Sequence, residues 1–223
     1  MVIIMEIQQL STLLSGNSYP GRGIVLGRSK DGKTAMIAYF IMGRSVNSRN
    51  RIFVCDGDDV RTKAYDESKL SDPSLIIYAP LRVFDKQTTV VTNGDQTDTI
   101  CEHGDFRRGL MTREYEPDEP NWTPRISAIM HEDGSFELSI LKRKDGRCLR
   151  EFFCYEGCDE GKGYFISTYQ GDGNPLPTFA GEPMEASVPS PEEVWAALNA
   201  DNKVSLYANV NGEVKLFNKN SGD

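Results

Sequence analysis

The sequence predicts an α+β protein built on antiparallel sheets. Three observations carry this reading. Runs rich in β-branched and aromatic residues recur in pairs joined by short turns. The helical segments stand apart from those pairs instead of alternating with single strands, as a parallel sheet would require. Hydrophobic residues make up 39% of 223 positions, enough for a real core, so wholesale disorder is excluded. No linker, repeat or low-complexity stretch divides the chain, and 1–223 reads as one domain.

Residues 6–15 (EIQQLSTLLS) fit a short helix ended by Gly16 and Asn17, with a turn at Tyr19-Pro20-Gly21. Residues 22–28 form a strand, Lys30-Asp31-Gly32-Lys33 a hairpin turn, and 34–42 the returning strand. A third strand, 52–55, runs into an acidic turn, Asp56-Gly57-Asp58-Asp59. Residues 74–84 and 88–92 make another hairpin around Asp85-Lys86. Residues 97–113 read as helical, interrupted at Gly104 and Gly109. Three prolines and four carboxylates make 114–124 (EYEPDEPNWTP) a rigid loop. Strands 125–131 and 136–142 pair across Glu132-Asp133-Gly134, and 148–155 and 163–169 follow. A long irregular loop, 171–183, leads to a helix that Ser190 caps. Pro191 suits its first turn and Glu193 completes a capping box. Residues 203–217 close as a hairpin at Asn211-Gly212.

Composition narrows the function. The 25 basic and 33 acidic side chains give a net charge of −8. Such a chain repels phosphate backbones at long range, which argues against a nucleic-acid or anionic-membrane binder. A locally basic pocket for a small anion stays open. The longest apolar run, Ala35–Met42, is far short of the roughly 20 residues of a membrane span. The start, MVIIMEIQQL, has no basic region and is not a secretory signal. The odd cysteines, at 55, 101, 148, 154 and 158, match no zinc spacing and read as reduced thiols of a cytoplasmic protein. With His103 and His131 the only histidines, a multi-His metal site is impossible. No phosphate-binding P-loop, H-E-x-x-H or G-x-S-x-G motif is present.

Three polar clusters remain. Residues 43–51 (GRSVNSRNR) put three arginines among hydroxyls and amides, a set suited to a forked grip on phosphate or carboxylate. Tyr78 to Arg82, then 92–98 (TNGDQTD), gather polar groups at strand ends. Residues 114–125 crowd carboxylates against Arg125 on a proline-stiffened backbone, where one carboxyl can be pushed toward an acid–base role. Each cluster has an ordinary alternative as a solvated turn or loop.

Taken in order, these pieces resemble the archaeal-type inosine monophosphate (IMP) cyclohydrolase family and its bacterial relatives. The matching segments are GRGIVLGRSKDGK, GRSVNSRNR, IIYAPLR, VVTNGDQTDTI and YEPDEPNWTPRI, and STYQGDGNPLPTFAGEP resembles the bacterial members. They span residues 21 to about 183. The resemblance implies a four-layer αββα sandwich like that of N-terminal-nucleophile hydrolases, with two stacked antiparallel sheets between helices. Met1-Val2-Ile3 offers no nucleophile, so an acyl-enzyme route is not expected. The implied reaction closes the ring of 5-formamidoimidazole-4-carboxamide ribonucleotide to IMP with loss of water, in purine synthesis, without metal or organic cofactor. The implied catalytic residues are Tyr78, Glu116 and Arg49. Arg44, Arg82, Thr92, Asn93, Asn121 and Arg125 would contact the nucleotide, with Arg125 pairing Glu116 or Glu119. The expected partner is a small purine ribonucleotide, and a homo-oligomer is compatible. Two other readings are a non-catalytic purine-nucleotide-binding protein on the same scaffold and a hydrolase of a different small amide. Gln96 stands where the family commonly has His and Glu114 where Asp is common. Trp122 is an extra residue, and the region from about 184 has no clear match to the archaeal form.

Overall fold

In the computed structural model, which describes residues 7–30, 35–85, 88–210 and 212–222, strand alternation builds the layers. One sheet has β1 (Arg22–Arg28) and β2 (Ala35–Met42) at its centre. Flanking them are β10 (Lys162–Ser167) and β11 (Met184–Ser187) on one side, β12 (Lys203–Val210) and β13 (Glu213–Asn218) on the other. The second sheet follows chain order: β3 (Arg51–Asp56), β4 (Asp59–Ala64), β5 (Leu81–Val83), β6 (Thr89–Thr92), β7 (Arg125–Met130), β8 (Phe136–Lys144) and β9 (Arg147–Tyr155). All of the ladders are antiparallel.

Successive side chains point to opposite faces, and both faces here are apolar. Ile24, Leu26, Tyr39 and Ile41 of the first sheet pack against Phe53, Val91, Ile126 and Leu138 of the second. On the other side of the first sheet, Val25, Ala38 and Phe40 meet Leu10 and Leu14 of α1 (Leu10–Ser15) and Val194 of α5 (Pro191–Ala197). Beyond the second sheet, Val90, Ile129 and Leu141 cover Ile100 of α3 (Gln96–His103) with Phe106 and Leu110 of α4 (Phe106–Met111). The order is helices, sheet, sheet, helices: the four layers expected. No helix among the described residues is long and apolar enough to cross a membrane.

Several elements differ from expectation. Residues 74–80 are not a strand: Ile76 and Ile77 donate to the Pro73 carbonyl in a turn, and pairing begins only at Leu81. Strands β4 and β11 were not anticipated. The polar alternation of β4 (DVRTKA) hides a strand that buries only Val60 and Thr62. The helical stretch breaks at Gly104, in the left-handed region at φ 62°, but not at Gly109. Gly109 stays inside α4, where an added Cβ would stand 2.8 Å from Ile100 Cα, so it serves close packing of α4 on α3. The capping box of α5 forms as the sequence implies. The expected turns at 30–33, 85–86 and 211–212 each include residues outside those described.

Candidate functional site

At one end of the sandwich the layer between the sheets changes from apolar to charged. Arg22 has the same parity as Ile24 and Leu26, so it points inward at the start of β1. Arg51 has the parity of Phe53 and does the same at the start of β3. Arg51 is fully buried. It donates from Nε to the Ser48 carbonyl (2.8 Å) and from Nη2 to the Met42 carbonyl (3.3 Å). Its Nη1 and the Nε of Arg22 are buried without a partner among the described residues. Tyr39 and Tyr78 join them, hydroxyl to hydroxyl at 2.7 Å.

Glu116 comes in from the proline-rich loop, fixed by its own N–H to the Thr123 carbonyl at 2.9 Å. Burial pushes its carboxyl up to about 7 against the attraction of Arg22 and Arg125, and nearby Asp118 adds to the rise. A buried carboxyl at that value can take up or release a proton at neutral pH.

A cleft of about 340 Å³ opens over this cluster, lined by Arg22, Arg44, Ser48, Glu116, Asn121 and Tyr169 among others. Its wall is a tyrosine stack: Tyr19 and Tyr169 lie 6.0 Å apart at 20°. Burial raises the Tyr169 hydroxyl to about 12, so it stays protonated, bonded to Thr123. The Arg44 guanidinium stands 5.2 Å over Tyr19. Its Nη1 reaches Asp172 (2.7 Å) and the Gly173 carbonyl (2.9 Å). Ser45 and Ser48 hold the adjoining short helix, α2 (Val46–Arg49), through a capping box. The whole offers two arginines, three carboxyls (Asp72, Glu116 and Asp118) of which Glu116 sits in the neutral range, hydroxyl donors and a flat aromatic wall.

The expected site residues divide. Arg44, Glu116 and Asn121 line the cleft. Tyr78 lies in the buried layer that acts electrostatically on Arg22 and Arg51. Arg49 does not reach it: its side chain is spent on the Gly43 carbonyl (2.9 Å) and Asn202 (3.0 Å). Arg82 is turned away, because Leu81 takes the inward position on β5; Arg82 Nη2 lies 2.6 Å from Asp98 on α3. Thr92 and Asn93 are fully buried braces. Asn93 Oδ1 accepts from Ile126 N–H (2.8 Å) and Gln96 (3.0 Å), and its amide donates to the Pro124 carbonyl (2.9 Å). Thr92 bonds Thr97 and the Gly94 carbonyl. Arg125 pairs with Asp95 (2.8 Å) and Gln96 (2.6 Å) rather than with Glu116 or Glu119. Gly94 makes room for it, since a Cβ there would stand 2.5 Å from Arg125 Nη1.

Arg22, Tyr39, Tyr19 and Tyr169 were not singled out from the sequence, and Arg51, though counted in the 43–51 cluster, was given no site role. Counting in twos from Ile24 and from Phe53 would have aimed both arginines inward. The tyrosines carried no such signal. All five cysteines are free. Among the described residues no group of three His, Cys, Asp or Glu side chains is arranged to hold a metal.

A family model described as IMP cyclohydrolase-like protein matches residues 19–215. It thus runs past the resemblance seen in the sequence, which ended near 183, and takes in the carboxy-terminal hairpin as far as 215. No curated protein matches the chain.

Proposed function

The chain belongs to the IMP cyclohydrolase-like family, and from that premise we propose that it closes the purine ring of 5-formamidoimidazole-4-carboxamide ribonucleotide to give IMP. The observation that carries the reading is Glu116: a buried carboxyl raised to about 7, beside two inward arginines and facing a nucleotide-sized cleft. Both reacting groups belong to one molecule, so the protein's first task is to hold them face to face. The carboxamide nitrogen attacks the formyl carbon, and a C–N bond forms. Glu116 takes the nitrogen's proton, and Tyr78 donates to the formyl oxygen as it gains charge. The proton taken by Glu116 passes on to that oxygen. The hydroxyl so formed departs as water with the proton of the former formamide nitrogen, which leaves Glu116 and Tyr78 as they began. Arg22 and Arg44 attract the doubly charged phosphate into an otherwise acidic protein, and the Tyr19–Tyr169 stack offers a face to the heterocycle. Arg51 holds the 42–48 segment from below through its two carbonyl bonds.

The test is the ultraviolet change on mixing purified protein with the formylated ribonucleotide, with and without chelator. Conversion to IMP in both supports the reading. Tight binding of the ribonucleotide with no IMP formed would overturn it in favour of a purine-nucleotide-binding protein.

A further inference from the structure

Tyr39 is fully buried, stacked on Phe53 with ring centroids 5.6 Å apart. Its hydroxyl meets one hydrogen-bond partner among the described residues, the Tyr78 oxygen at 2.7 Å. A buried O–H has to donate, or it forfeits a hydrogen bond that water would supply. The surroundings offer it little else. The spare polar atoms of this layer are donors, Arg22 Nε and Arg51 Nη1. Two cations also favour oxygen lone pairs turned toward them and protons turned away. The accounting therefore runs one way: Tyr39 gives its proton to the Tyr78 oxygen. Tyr78 must then send its own proton elsewhere, and unlike Tyr39 it keeps some exposure, 8% against 0%.

From this we infer that Tyr39 is a positioning residue, which fixes the Tyr78 hydroxyl as a donor toward the cleft and so toward the oxygen that gains charge in ring closure. The inference rests on the reading of Tyr78 given above. Without Tyr39 the Tyr78 hydroxyl can rotate, and its proton is no longer held in one direction. The loss should fall on the chemical step and leave ground-state binding alone.

The experiment is a double-mutant cycle of Tyr39→Phe and Tyr78→Phe, read in two ways. In turnover, Y39F should lose about tenfold in kcat, less than the 10²–10³ of a direct oxyanion donor, with KM unchanged. In the Y78F background the same change should cost nothing further. In thermal melting, Y78F strands the buried Tyr39 hydroxyl, so the double variant should melt above Y78F alone. Wild-type kcat in Y39F, an additive loss in the double variant, or a double variant melting no higher than Y78F would each overturn the inference. If the wild-type protein makes no IMP, the functional reading fails, and the melting cycle still tests whether Tyr78 is the partner that satisfies the buried Tyr39 hydroxyl.

Discussion

Arg51 and Arg125 are both buried guanidiniums that act on the same carboxyl, Glu116, yet they are used in different ways. Arg125 points outward from β7 and is consumed: Asp95, Gln96 and the Glu114 carbonyl take its donors. Arg113 adds a second contact to Asp95. Arg51 points inward and meets only main-chain carbonyls, with one nitrogen left over. With Arg22 it acts on the Glu116 carboxyl, and each of the two arginines keeps one buried nitrogen without a partner among the described residues. The outer group is a brace whose donors are spent in place on Asp95, Gln96 and the Glu114 carbonyl. The inner group lacks an acceptor that an anionic oxygen-bearing ligand would supply. Burial alone does not mark a functional arginine; an unspent donor on an arginine that lines a cleft, as Arg22 does, is the better mark.

The sharpest way to break this contrast is Glu116→Gln. It should lower kcat/KM by about 10²–10⁴-fold, the usual range for a lost acid–base group, while the protein stays folded by circular dichroism. Near-normal turnover would remove Glu116 from the inner group's chemistry.

The next effect is on stability against pH. The Glu116 pKa is raised, from 4.5 to about 7, so the folded state holds this proton more tightly than the unfolded chain does. No penalty applies below about 4.5, where both states are protonated. Between there and about 7 stability falls as pH rises, by about 3 kcal/mol in all. Denaturant titrations across this range should show that slope in wild type and a flatter one in E116Q. An identical slope in both would mean that Glu116 titrates normally.

Arg125→Met should cost about 1–3 kcal/mol of stability, because Gln96 and the Glu114 carbonyl lose their donor. It also removes a cation that holds the Glu116 carboxyl down, so the pH dependence of activity should move upward. A stable variant with an unmoved profile would contradict the brace. The smallest effect is expected for Arg82→Met, whose partner Asp98 is half exposed: under about 1 kcal/mol in stability and no change in KM. A large rise in KM would bring Arg82 back to the nucleotide.

Much of this architecture was legible in the letters. Paired β-rich runs with hairpin turns foretold antiparallel sheets, and Ser190, Pro191 and Glu193 announced α5 together with its cap. YEPDEPNWTPRI pointed to Glu116, and GRSVNSRNR to Arg44. These are local signals, in which a residue's neighbours in the chain decide its conformation. The segment 74–84 misled because its apolar residues suit a strand, while Pro73 and Pro80 and the bonds between Thr62 and Tyr78 hold it as a turn.

The chain by itself therefore determined the kinds of element, the rigid acidic loop and the presence of arginine-rich clusters, since hydrogen-bonding propensity and turn chemistry act over a few residues. Only the tertiary structure decided which arginines share a site. A one-position difference along a strand sends Arg82 toward α3, where Arg51 on its own strand turns inward, and the stacking of two sheets brings positions 22, 39, 51, 78 and 116 together. Burial, and with it the raised Glu116 carboxyl, exists only once those layers have closed over it and excluded water.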